Sequence, residues 1–102
     1  MRLRNEENGP SYRSSTSEIA EAGYFRIERV YPRYSEIFFD LLDQLAQAPH
    51  GIGIPLQLKS VEDKTLLLTG TPRVRHAPAT RILYEIIEDK KVVLVWSVGQ
   101  KK

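Results

Sequence analysis

Residues 71–102 read "TPRVRHAPATRILYEIIEDKKVVLVWSVGQKK". Two runs within it, "TRILYEII" (80–87) and "KVVLVWSVG" (91–99), are rich in β-branched and aromatic residues and suit strands. The "EDKK" between them (88–91) suits a tight hairpin turn, with Asp89 tolerant of turn geometry. Both runs are apolar on both faces for part of their length, which places them centrally in a sheet covered by helix on at least one side. Just upstream, "RVRH" (73–76) alternates basic with apolar residues. An extended strand there projects Arg73 and Arg75 to one face and Val74 to the other. "APA" (77–79) then turns the chain, and Arg81 opens the next strand.

Outward from this segment the pattern changes. "TLLLTG" (65–70) is a brief apolar run ending at Gly70, and "PLQLKSV" (55–61) reads as a short strand or an irregular edge. Gly51, Gly53 and Pro55 mark a loop. "PRYSEIFFDLLDQLAQAPHG" (32–51) is the clearest helix: Ile37, Phe38, Leu41, Leu42, Leu45 and Ala46 form one wide apolar stripe. Pro49 and Gly51 stop it. "YFRIERVY" (24–31) alternates, with Phe25 and Ile27 on one face and Arg26 and Glu28 on the other, so a strand is expected, closed by Pro32. Residues 1–22 carry Asn, Gly, Pro and Ser without a sustained period. They read as a mobile tail, with a short helical turn in "SEIAEA" (17–22) that Ser17 can cap. The expected organisation is that tail followed by one α+β domain over residues 23–102.

Composition sets outer bounds. A chain of 102 residues with 41% hydrophobic and 27% charged side chains suits one small globular domain. It has no cysteine, which removes disulfides and thiolate metal sites and fits a reducing, cytoplasmic setting. No apolar run approaches the roughly 18 residues of a membrane span, and "MRLRNEENGP" lacks the apolar stretch of a secretory signal, so no membrane association is expected. Charge is uneven. Residues 1–23 and 24–71 are each net −1, whereas residues 72–102 hold seven basic and three acidic side chains, a net +4. Such a local field suits a polyanion or an acidic partner protein. It equally describes solvated, lysine-rich strand edges that resist aggregation.

Most site chemistries find no motif. "GIGIP" (51–55) is a loop with two glycines, not a dinucleotide fingerprint, and no phosphate loop is present. His50 and His76 lack metal-binding spacing, so neither a metal nor another cofactor is expected. What remains is the cation set Arg73, Arg75, Arg81, Lys101 and Lys102, with His76 beside it. If the last three strands are neighbours, these side chains converge. An anion between two guanidiniums relieves their repulsion, and phosphate suits arginine's paired donors.

The segment "RVRHAPATRILYEIIEDKKVVLVWSVGQKK" resembles the C-terminal half of the RelE/ParE superfamily of toxins from type II toxin–antitoxin modules. Members show a basic–apolar–basic strand, a short turn, an Arg opening a strand of the kind "RILYEI", an acidic–Lys turn, and a last strand of the kind "VVLV–x–x–VG" followed by basic residues. "LTG" (68–70) resembles the family's "L-x-G". The resemblance covers residues 68–102 and, more loosely, a strand and helix at 24–48. The family has two helices as a hairpin, where the residues here point to one. Its ribosome-dependent RNases usually carry a catalytic Tyr or His beyond the "VG" segment, and none follows Gly99 here.

The resemblance implies a small, antiparallel-rich twisted sheet packed against one or two N-terminal helices. It implies a cognate antitoxin partner. In one branch it implies ribosome-dependent cleavage of mRNA that inhibits translation. The alternatives are binding to DNA gyrase without RNase activity, or a catalytically degenerate member that only binds its antitoxin. Carried over by position, Arg73 and Arg75 match the basic strand pair, Arg81 the strand-opening Arg, and Lys101 the basic position after Gly99. These four form the expected catalytic set. His76 and Lys102 are expected to contact RNA. The residue types suit cleavage by the RNA's own 2′-OH, because Arg and Lys stabilise charge on a pentacoordinate phosphate.

Overall fold

The computed structural model describes residues 11–56 and 63–101. Strand β1 (Arg13–Thr16) is followed by helices α1 (Glu18–Val30) and α2 (Tyr34–Gln47). Strands β2 (Ile54–Leu56), β3 (Thr65–Thr71), β4 (Thr80–Ile87) and β5 (Val92–Gln100) complete the fold. They form one five-stranded sheet in the order β1-β5-β4-β3-β2. β1 runs parallel to β5, and the other neighbours pair antiparallel. The α+β architecture expected from sequence is the one observed.

The β4–β5 pair is its centre. Thr80, Ile82, Tyr84 and Ile86 alternate onto the helix-covered face and are all buried. A register shift at Leu83/Tyr84 pairs Leu83 with Ser97 but Tyr84 with Val95, leaving Trp96 as the extra residue of a bulge. The shift lets Val93, Val95 and Val98 all reach the helix side, although their spacing is two and then three. It accounts for an apolar run on both faces of β5. The indole N–H of Trp96 donates to a Glu85 carboxylate oxygen at 3.0 Å on the other face.

Residues 24–31 are the main correction. Residues 24–30 continue a helix that starts at residue 18, instead of forming a strand, and Tyr31 is its C-cap. Ser17 is its N-cap, accepting from the Ala20 N–H at 3.0 Å and donating to the Trp96 carbonyl at 2.8 Å. Ala20, Gly23, Tyr24 and Ile27 are buried at helical spacing, while Phe25 faces outward. Gly23 is required there, because a Cβ would collide with the Val98 carbonyl. The helix therefore rests directly on the β5 backbone. With α2 it makes a helix pair, where the residues had pointed to one.

Residues 13–22, expected to belong to a mobile tail over 1–22, are instead strand, helix N-cap and helix. Residues 1–10 lie outside the described residues. Arg13–Thr16, however, pairs with Val92–Val95 as β1. "RSST" has no strand signature of its own; β5 supplies the partner.

α2 buries Tyr34, Phe38, Leu41, Leu42, Leu45 and Ala46, close to the stripe expected. Tyr24, Tyr34 and Phe38 stack with ring centroids 4.7–5.9 Å apart and tie the helices together. Tyr84 is fully buried. Its hydroxyl donates to the Pro49 carbonyl at 2.6 Å and accepts from the Gly53 N–H at 3.0 Å, holding the α2–β2 connection against the sheet. "TLLLTG" is β3; of "PLQLKSV", Pro55 and Leu56 belong to β2 and residues 57–61 lie outside the described residues. No helix among the described residues is long and apolar enough to cross a membrane.

Candidate functional site

β3 ends, β4 begins and β5 ends at the same end of the sheet. The antiparallel register thus brings Arg73, Arg81 and Lys101 to one place. Gly70 pairs with Arg81, and Arg81 with Gly99, so glycine flanks Arg81 on both neighbouring strands. Beyond the register, the Lys101 N–H donates to the Ala79 carbonyl at 2.8 Å and fixes the exit of β5.

"RVRH" is a turn instead of a strand. Val74 and Ala77 form an isolated bridge, with N–H···O distances of 3.0 and 3.3 Å in the two directions. Arg75 and His76 sit at the tip of that turn. Pro72 and Pro78 bracket it, and their missing N–H groups keep the segment out of the ladder. The expected turn at "APA" lies a few residues earlier than read. Arg73 and Arg75 still come to one side, as turn residues.

Two adjoining hollows result. One, of about 680 Å³, is lined by Tyr31, Arg73, Val74, Arg75, Ala77, Pro78, Ala79, Gln100 and Lys101. The other, of about 740 Å³, is lined by Arg73, Arg81 and Lys101 together with Ile52, Ile54 and residues of β3 and β4. Arg73 and Lys101 belong to both. No Asp or Glu among the described residues lines either one. Among the described residues, the ion pairs all lie elsewhere: Arg33–Glu36, His50–Glu88 and Lys91–Glu88. Beneath the cations the strand ends are locked by buried hydroxyls. Tyr34 donates to Thr80 at 3.1 Å, and Thr80 and Thr71 share a hydrogen bond of 2.6 Å. Burial raises the Tyr34 pKa, which keeps it a neutral donor.

Of the expected site residues, Arg73, Arg75, Arg81 and Lys101 are brought together. His76 is half-buried at the turn tip and outside the lining of both hollows. Lys102 lies outside the described residues. Sequence reading missed Tyr31 and Gln100, which share the first hollow; the signal available was only an aromatic next to Pro32.

A third hollow, of about 490 Å³, lies along the α1–α2 pair and β1. Tyr24, Phe25, Phe38, Phe39 and Leu42 line it, with Ser14 to Thr16 and Glu21. Phe25 and Phe39 are 58% and 53% exposed, unusual for such large rings. β1 is an edge strand beside them.

At the opposite end of the sheet Glu88 is surrounded. Both its carboxylate oxygens accept from the Tyr12 hydroxyl, at 2.5 and 2.9 Å. His50 Nε2 lies 3.2 Å away and Lys91 Nζ 3.3 Å. The Tyr12 bond, then that of His50, holds the Glu88 carboxyl down to about 2. Lys91 is the one described non-glycine residue in the left-handed region, at φ 53°. It closes the β4–β5 turn, where Asp89 had been the residue singled out.

The sequence matches no family model and no curated protein. Its fold does have a counterpart among solved structures. A chain of the RelBE2 toxin–antitoxin complex from Mycobacterium tuberculosis superposes with a TM-score of 0.67 at 19% identity, over 92% of this chain and 94% of that one. The fold is RelE-like. That RelE-like fold includes the two helices that the sequence resemblance implied and the residue pattern did not show.

Proposed function

We propose that this chain is the toxin of a toxin–antitoxin module and acts as a ribosome-dependent mRNA endonuclease. The supporting observation is the pair of hollows that four cations line, with no acidic side chain among the described residues. A site of that kind favours a polyanion, and arginines offer two parallel donors to each phosphate. In the proposed reaction the RNA 2′-OH gives its proton to water and attacks the adjacent phosphorus; the bond to the 5′-oxygen breaks, and that oxygen takes a proton from water, leaving a 2′,3′-cyclic phosphate and a 5′-OH. Arg73 and Lys101, common to both hollows, hold the scissile phosphate and stabilise its added negative charge. Arg81 aligns the phosphate from β4, and Arg75 holds the neighbouring nucleotide. His76 and Lys102 stand as contacts farther along the strand.

The RelBE2 structure is of a toxin with its antitoxin, and the same kind of partner is proposed here. The apolar groove with its edge strand offers a docking place for a partner segment: β1 gives main-chain groups, and Phe25 and Phe39 give apolar area.

Induced expression of wild type and of Arg81→Ala, with primer extension on a reporter mRNA, tests the reading. Growth arrest with cuts inside translated codons, both lost in Arg81→Ala, is the expected result. Arrest with intact mRNA overturns the RNase reading in favour of gyrase inhibition. Toxicity unchanged by Arg81→Ala removes the cation set from the mechanism.

A further inference from the structure

The first basic hollow contains one aromatic side chain, and the phosphate chemistry leaves it unused. Tyr31 is the C-cap of α1, and its backbone is held on both sides. Its N–H donates to the Ile27 carbonyl at 2.8 Å, and its carbonyl accepts from the Tyr34 N–H at 2.8 Å. Tyr31 is partly buried and packs against the core, and it lines the hollow beside Arg73, Arg75 and Lys101. The exposed Gln100 completes the polar side of the same hollow.

Cations alone hold any polyanion. An aromatic side chain next to them is suited to a flat, unstacked ring, and a carboxamide supplies both a donor and an acceptor for the ring's edge. A volume of about 680 Å³ admits one nucleotide with room to spare. We propose that this hollow is a nucleotide pocket for single-stranded RNA: one base stacks on Tyr31 and presents its edge to Gln100, while its phosphate lies among Arg73, Arg75 and Lys101. The assignment rests on the RNA reading above and narrows it. Duplex RNA, whose bases are already stacked, does not fill the pocket. Tyr31 acts as a positioning residue that sets which phosphate reaches the cations.

The test is fluorescence anisotropy of a labelled single-stranded RNA hexamer with the purified full chain. Its competitors are the same hexamer with one abasic central nucleotide and a blunt duplex. Wild type is expected to prefer the intact hexamer to the abasic one by roughly 5- to 150-fold, the range for one base on one aromatic ring. Tyr31→Leu loses that preference while still binding the abasic hexamer, and Tyr31→Phe keeps it. Equal wild-type affinity for intact and abasic hexamers overturns the pocket with no variant needed. A folded Tyr31→Leu that still discriminates overturns it too. Wild type that binds neither hexamer instead sinks the RNA reading on which the pocket depends.

Discussion

The two ends of the β4–β5 pair carry similar side chains to opposite effect. At the turn end, Lys91, His50 and Tyr12 gather around the Glu88 carboxylate. At the other end, Arg73, Arg75, Arg81 and Lys101 surround two hollows whose lining, among the described residues, holds no acidic side chain. A surface ion pair contributes little to stability, whereas unpaired cations held close together repel and slightly weaken the fold. The difference teaches that, among the described residues, the sheet gathers partners around one carboxylate at one end and sets cations beside one another without an acidic neighbour at the other. Like charges on a common frame favour an anion between them.

The largest expected effect comes from emptying the open end. Arg73→Ala with Lys101→Ala removes both cations common to the two hollows. Two charge-assisted contacts together are worth about 3 kcal/mol or more, so single-stranded RNA affinity falls roughly 100-fold. The dependence of log affinity on log salt flattens by about 1.4, at ~0.7 per phosphate contact. Urea denaturation of the same variant changes by no more than about 0.5 kcal/mol per site, because both side chains are exposed. Lost stability of several kcal/mol would erase the proposed contrast.

Next comes the frame. Tyr84→Phe leaves the Pro49 carbonyl and the Gly53 N–H without their buried partner. Unfolding free energy is expected to drop by about 1–3 kcal/mol, read from urea midpoints. RNA affinity at saturating folded protein stays near wild type.

The smallest effect is at the closed end and depends on pH. Glu88 has its folded pKa lowered from 4.5 to about 2. The unfolded chain therefore takes up the proton first as pH falls. The stabilisation is complete above pH 4.5 and is lost as pH falls through about 2. Glu88→Gln is expected to flatten the thermal-melting profile across that window. An unchanged acid slope would show that the surrounding groups do not hold the carboxylate.

How far the sequence disclosed all this differs by element. α2 was legible because its apolar stripe is long and unbroken, and β4 and β5 because their β-branched runs exceed any helix face. α1 was not. Phe25 and Ile27 imitate a strand, while the residues that settle the matter are the small Ala20 and Gly23. Their burial is tertiary, since Gly23 exists for contact with Val98 of β5. The series 20, 23, 24, 27 was the available signal. β1 offered none, because four polar residues become a strand only when β5 pairs with them. The cations were identifiable from charge distribution and from the family resemblance, and the register of β3 to β5 explains why they converge. Pro72 and Pro78 could have warned that Arg73 precedes a turn and Arg75 lies within it. Tyr31 belongs to the hollow only through the fold of α1 back over the sheet, which no local pattern records.

The most direct test sets the two ends against each other in one assay. Primer extension on a translated reporter mRNA is run after induction of wild type, Arg73→Ala/Lys101→Ala and Glu88→Gln. The account predicts cuts within codons for wild type and Glu88→Gln, and none for the open-end variant at equal protein level. Cuts that persist in the open-end variant, or that vanish equally in Glu88→Gln, would contradict the claim that the open-end cations carry the activity.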